Sequence, residues 1–153
     1  MNRIRGKTAI VTGATAGIGE SCARAFAGHG ANLVLLARRG ERLSDLRKEL
    51  SAGGVDVVTR VHDVRDRSAA HDLVAEMSER GIAPDILVNN AGCASGLSKI
   101  QEGAVDDWEG MIDTNVKGLL YVTRAILPLM VERNQGSHNQ HRKYRWPLGV
   151  SPE

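Results

Sequence analysis

The sequence predicts an α/β fold, a doubly wound parallel sheet that stops after about four strands and a long fourth helix. Three observations predict it. Four short apolar runs alternate with amphipathic runs at the ~30-residue spacing of βαβ units. Aromatic residues are only 3% of the chain, so Val, Leu, Ile and Ala must build the core, as they do in sheets covered by helices. The first apolar run leads directly into Thr12-Gly13-Ala14-Thr15-Ala16-Gly17-Ile18-Gly19, a glycine-rich turn that opens a helix.

The elements follow in order. The first strand is about Thr8 to Val11. In the helix after it, Ile18, Cys22, Ala25 and Phe26 are spaced for one buried face, and Gly28 and Gly30 are stop signals. Asn32 to Ala37 is apolar nearly throughout, as a parallel strand buried on both faces should be. Arg38-Arg39-Gly40 closes it, and Leu43, Leu46 and Leu50 mark one face of the second helix, which Gly53-Gly54 ends. Val55 to Val61 is the third strand and His62-Asp63-Val64 the loop beyond it. A third helix carries Leu73, Val74 and Met77 and stops at Gly81. Asp85 to Val88 is the fourth strand, and Asn89-Asn90-Ala91-Gly92 turns off it. After a small-residue loop, Cys93 to Gly103, a helical pattern covers about Val105 to Val131, where Pro128 is expected to kink or close it.

Right-handed crossovers bring the C-terminal ends of all four strands to one edge of this Rossmann-type sheet. Gly13 to Gly19, Arg38, Asp63 and Asn89 to Gly92 all lie there, where ligands of such sheets bind. The glycines have separate tasks. Gly13 permits the tight turn, Gly17 lets a pyrophosphate approach the backbone, and Gly19 lets helix and strand pack closely. The N–H groups and positive dipole end of the helix then face the phosphates.

Composition narrows the function. The length is that of one domain, and a net charge of +2 is too small to argue for nucleic acid. Cys22 and Cys93 form no C-x-x-C, which points to a reduced, cytoplasmic setting. No apolar run is long enough to cross a membrane, and Met1 to Lys7 does not begin a signal peptide. His138 and His141 have metal-ligand spacing, but nothing near them completes a site, so no metal is expected. His29, His62 and His71 read as surface or loop residues, and Cys93 as a small buried residue beside the cleft.

Thr12-Gly13-x-x-x-Gly17-x-Gly19, Asp63-Val64, Asn89-Asn90-Ala91-Gly92 and Asn115 together resemble the short-chain dehydrogenase/reductase family, in order and spacing, from about Lys7 to Gly136. Gly13-Ala14-Thr15-Ala16-Gly17 and the run Asp107-Trp108-Glu109 to Asn115 are most similar to its NADP-dependent branch acting on 3-hydroxy acids such as serine. The resemblance implies roles. Thr12, Gly13, Thr15, Gly17, Ile18 and Gly19 would form the pyrophosphate turn. Asp63 and Val64 would contact the adenine, with the carboxylate accepting from its amino group. Asn89, Asn90, Ala91 and Gly92 would support the sheet and touch the adenosine ribose. Asn115 would hold a water in the proton relay of the active-site lysine.

NAD-preferring sites place an acid after the second strand, to accept from the ribose 2′-OH. Here Arg38 and Arg39 stand there, and an arginine fork suits a 2′-phosphate, so NADP is expected over NAD. The chain departs from the family pattern in its catalytic half. Tyr121 is followed four residues on by Ala125 and Tyr144 by Leu148, so neither has the lysine of Y-x-x-x-K, and Ser137 has no strand around it. Residues 1–133 therefore read as an incomplete NAD(P)-binding domain, and residues 134–153 as an aberrant tail, polar and basic enough to be expected disordered. Two functions stay open: an NADP-dependent oxidoreductase for a small hydroxy acid or alcohol, present as an inactive truncated form, or a non-catalytic nucleotide-binding or interaction fragment. A homo-oligomer could form through the long helix 105–131.

A fifth strand is due after Arg133, and the codons of the tail permit one in a shifted frame. Back-translating His138 to Trp146 and reading one base later permits Ile-Ile-Asn-Ile-Gly-Ser-Ile-Ala-Gly, an apolar strand carrying a serine. The last glycine is forced by the Trp146 and Pro147 codons; the other positions are degenerate. A slipped reading frame near Gly136 therefore competes with a natural divergent tail. Nucleotide sequencing from codon 130 through 153 and beyond checks this. The slip predicts the serine strand and then a Y-x-x-x-K in the alternate frame, and an earlier stop codon excludes it.

Overall fold

The computed structural model of the chain describes residues 3–96 and 98–136. The readings of Ser137, His138, His141, Tyr144 and the remainder of the tail lie outside the described residues. Strands β1 (Thr8–Thr12), β2 (Asn32–Ala37), β3 (Val57–Val61) and β4 (Ile86–Val88) form one parallel sheet in the order β3-β2-β1-β4. Thr8 lies opposite Asn32, Leu33 opposite Val57 and Ile10 opposite Leu87. The helices between them are α1 (Gly17–Gly28), α2 (Gly40–Ser51) and α3 (Arg67–Glu79).

Alternation along each strand divides the core in two. Ala9, Val11, Leu33, Leu35 and Val57 point to one face, where Ala23 of α1 and Leu43, Leu46 and Leu50 of α2 cover them. Ile10, Val34 and Leu36 point to the other, against Leu73 and Met77 of α3 and Val122 and Ile126 of the last helix. This is why β2 is apolar at nearly every position, and Leu33 to Leu36 are all buried.

Helix α1 buries a different face from the one expected. Ile18 is 76% exposed and Ala25 is exposed, whereas Gly19 and Ala23 are buried, with Phe26 and Ala27 packed against the core. The phase is set by Gly19, which must sit against the turn after β4. Its neighbour Ile18, one residue away around the helix, is turned outward.

The last helical run is continuous but not uniform. Helix α4 (Val105–Ile112) passes through a π-helical stretch (Asp113–Gly118) into α5 (Leu119–Gly136). Pro128 lies inside α5 and does not close it. A proline removes one intrahelical hydrogen bond. Burial of Val122 and Ile126 and packing of Leu129 and Met130 against the same core hold the helix across that gap. Its far end is tied to the start of the sheet by Asp85. That carboxylate accepts from the Thr8 backbone N–H at 2.9 Å and pairs with Lys7 at 3.0 Å and Arg133 at 3.1 Å. Burial alone would raise the Asp85 carboxyl, but these partners outweigh it and hold it below the usual range.

His62 lies in the loop after β3, one of the two expectations for it, but not at the surface. It follows β3 but is only 3% exposed, and neither ring nitrogen has a hydrogen-bond partner among the described residues. Burial, and then the charge of Arg60, push its pKa below 6.5, so the folded state holds it neutral. The unfolded chain takes up a proton more readily, so this contribution to stability is complete above the ordinary histidine pKa and falls as the solution is acidified below it. Urea unfolding is expected to show stability declining from about pH 7 to about pH 5, with His62→Leu flattening that slope. An unchanged slope in the variant would assign it to other groups.

Candidate functional site

The C-terminal ends of the four strands surround a cleft of about 600 Å3. Gly13, Thr15 and Ala16 enter it from β1, Arg38 and Arg39 from β2, His62 to Arg65 from β3, and Asn90 to Cys93 from β4. Asp106, Asp107, Gly110 and Thr114 close the far wall.

The turns after β1 and β4 are locked together. Thr12 Oγ1 accepts from the backbone N–H groups of Asn90 and Ala91, both at 2.9 Å, and donates to the Val88 carbonyl at 3.4 Å. The Asn90 amide returns two bonds, to the carbonyls of Thr12 (3.1 Å) and Gly13 (3.3 Å). Gly13 has φ +65°, and a Cβ there would meet Ala91 Cα at 2.9 Å. A Cβ on Gly19 would collide with the Asn90 amide and the Gly13 carbonyl. Gly17, at φ +53°, has nothing within 4 Å of where a Cβ would be, so its backbone is open to approach. Ala16, the residue before α1, offers no side-chain cap, so no side chain competes for the first-turn N–H groups.

The two arginines after β2 differ. Arg39 is committed to the glycine-rich turn: its Nε donates to Thr15 Oγ1 at 3.2 Å, and its Nη2 to Thr15 O and Oγ1 at 3.0 and 3.1 Å. Arg38 lines the cleft and stands near enough to Asp63 to act on its charge. Hydrogen bonds from the Arg65 guanidinium are the main reason the Asp63 carboxyl sits below its ordinary pKa, with Arg38 adding to the effect. Open helix N-terminus, paired arginines and an ionised carboxylate in one cleft suit a dinucleotide with an extra phosphate at one end.

Not every expected residue faces that space. Thr12 is buried beneath the turn, and Ile18 points outward. Asn89 faces α5, where its amide donates to Thr123 Oγ1 at 2.8 Å. Asn115 lies in the π-helical stretch and clamps the backbone of Cys93, accepting from its N–H and donating to its carbonyl, both at 2.8 Å. Among the described residues, no cluster of His, Cys, Asp and Glu could hold a metal, and no helix is long and apolar enough to cross a membrane.

The model of the short-chain dehydrogenases matches residues 7–137. The chain belongs to the short-chain dehydrogenase family. Within it, the chain is 50% identical over 127 residues to an NADP-dependent 3-hydroxy acid dehydrogenase of Salmonella typhi, covering 83% of this chain and 50% of that protein. It is 45% identical to sulfoacetaldehyde reductase 2 of Chromohalobacter salexigens, with 84% and 50% covered. Among solved structures, it is similar to serine dehydrogenase in a closed form complexed with NADP+, with TM-score 0.77, 46% identity, and 83% and 50% covered. The chain thus spans about half the length of the curated relatives it matches.

Several parts of this short-chain dehydrogenase site were missed in the sequence. Arg65 stood two residues beyond Asp63, a spacing that lets a guanidinium fold back on a carboxylate. Asp106, Asp107, Gly110 and Thr114 reach the cleft because the helical run that starts at Val105 crosses it; the run Asp107 to Asn115 carried a family resemblance, but nothing in its spacing placed it beside the cleft. Gly19→Ala is expected to overpack the locked turns and cost about 1–3 kcal/mol in urea unfolding. Unchanged stability would show that the turns can separate.

Proposed function

We propose that this chain carries the NADP-binding part of a short-chain oxidoreductase for a small hydroxy acid or alcohol, and that the polypeptide as given does not turn over substrate. One observation carries the cofactor preference: Arg38 stands in the cleft beside Asp63, and no acid follows β2. A 2′-phosphate gains from a guanidinium at that place, whereas the ribose hydroxyl of NAD lacks its usual carboxylate partner. The NADP-dependent relative and the serine dehydrogenase complexed with NADP+ support the same reading.

Roles follow for this chain's own residues. Gly13, Thr15, Gly17, Ile18 and Gly19 present the turn and helix N-terminus to the pyrophosphate, with Thr12 and Arg39 holding that turn in shape. Asp63 and Val64 take the adenine. Asn90, Ala91 and Gly92 take the ribose, and Asn89 anchors them to α5. Asn115 positions the backbone of Cys93 and, in a complete enzyme, a relay water. Bound NADP supplies the hydride acceptor. The absent chemistry is the proton transfer: Tyr121 has Ala125 and Tyr144 has Leu148, not lysine, four residues on, so neither forms the Y-x-x-x-K pair. Ile112, Val116, Leu120 and Leu127 are exposed along 105–131, which supports self-association through that run.

Titration calorimetry tests the reading. NADP is expected to bind more tightly than NAD. Arg38→Asp is expected to cost the NADP complex on the order of 1.5–3 kcal/mol and leave NAD little affected. An unchanged NADP/NAD ratio would remove Arg38 as the discriminator. Purified chain of verified mass, given NADP and a 3-hydroxy acid, is expected to produce no nicotinamide absorbance.

A further inference from the structure

We propose that Arg65 is a positioning residue that makes the cleft selective for adenine over a 6-oxo purine, by holding the Asp63 side chain as a fixed acceptor. This rests on the NADP reading above. The observation is a fork closed over two residues. Arg65 Nε donates to Asp63 Oδ1 at 3.0 Å and Oδ2 at 3.1 Å, and Nη2 donates to Oδ2 at 2.6 Å. The Arg65 backbone N–H adds a bond to Oδ1 at 3.0 Å. Both residues line the cleft.

An ion pair this exposed contributes little to folding, with the two side chains 47% and 32% accessible. Its consequence is orientation. Four contacts fix both torsions of the Asp63 side chain. Each carboxylate oxygen accepts two of these contacts, and an ionised carboxylate, with about four lone-pair sites, offers only acceptors to a further partner. The same fork keeps the carboxyl ionised, so it has no proton to donate. A fixed acceptor-only group matches the 6-amino group of adenine. It opposes the 6-carbonyl of hypoxanthine, which sets two acceptors face to face with no proton between them. Without the fork, the carboxylate is free to swing into water, and the two bases meet nearly the same surface. Arg38 acts on the phosphate that distinguishes NADP from NAD; Arg65 acts on the base that the two share.

The test is calorimetric titration of the full chain with NADP, NAD and nicotinamide hypoxanthine dinucleotide phosphate. The unsubstituted chain is expected to favour NADP over the hypoxanthine analogue by about tenfold. Arg65→Gln is expected to bring that preference within about twofold while weakening NADP and NAD together. Asp63→Asn, whose amide can donate to a carbonyl, is expected to reverse the preference toward the analogue. A preference unchanged in Arg65→Gln overturns the inference. So does Asp63→Asn without reversal, which decides the matter if the arginine variant does not fold. Failure of the unsubstituted chain to bind NADP sinks the underlying reading as well, whereas NADP binding without base preference sinks this inference alone.

Discussion

The structure depends on the contact between two turns, the one after β1 and the one after β4. Thr12 Oγ1 and the Asn90 amide make five hydrogen bonds across it, joining residues nearly eighty positions apart in the chain. That contact needs glycine at Gly13 and Gly19, because a side chain at either would separate the turns. It sets the phase of α1, which leaves Ile18 outside, and Ala16, the uncapped residue before the helix, lines the cleft. Backbone groups that act only through their positions must be fixed before any ligand arrives, and this knot fixes the turn that carries them.

Around that rigid floor the charged groups have separate duties. Arg39 spends its hydrogen bonds on Thr15 and stiffens the turn. Arg65 spends its own on Asp63. Arg38 lines the cleft. Three arginines within one small region would repel one another without intervening acceptors. Asp63 and the Thr15 oxygens are those acceptors. The cleft is thus polarised along its length, positive after β2 and lined by Asp106 and Asp107 at the α4 end.

The helical run from Val105 to Gly136 links the site to the remainder of the molecule. One side of it completes the second core through Val122 and Ile126. Its π-helical stretch presents Asn115 to Cys93, so the loop after β4 is held at two places, by Thr12 below and Asn115 beyond. Gly118 lies so close to Val64 that a Cβ there would meet Val64 Cγ2 at 2.7 Å, which brings the run against the loop after β3. Its outer side leaves Ile112, Val116, Leu119, Leu120, Leu127 and Val131 exposed. β4, at one end of the strand order, pairs only with β1 among the described residues.

The sequence by itself determined the four parallel strands, the helices between them and the loops that would converge. Local signals suffice for these: apolar runs have strand length, glycines stop helices, and crossover handedness then leaves no choice of edge. Leu43, Leu46 and Leu50 were legible as a buried face because they repeat with the helical period and α2 packs on one sheet face alone. Only the tertiary structure decided the rest. The period of α1 was ambiguous between two faces, and the contact of Gly19 with Asn90, distant in sequence, chose between them. His62 lies in a loop by sequence, and neighbouring elements bury it. Arg38 and Arg39 are adjacent and identical, and their division into a cleft residue and a turn brace follows from where β2 ends relative to Thr15. A sequence records which side chains a segment carries, but which of them share a site depends on contacts between segments, and those exist only after folding.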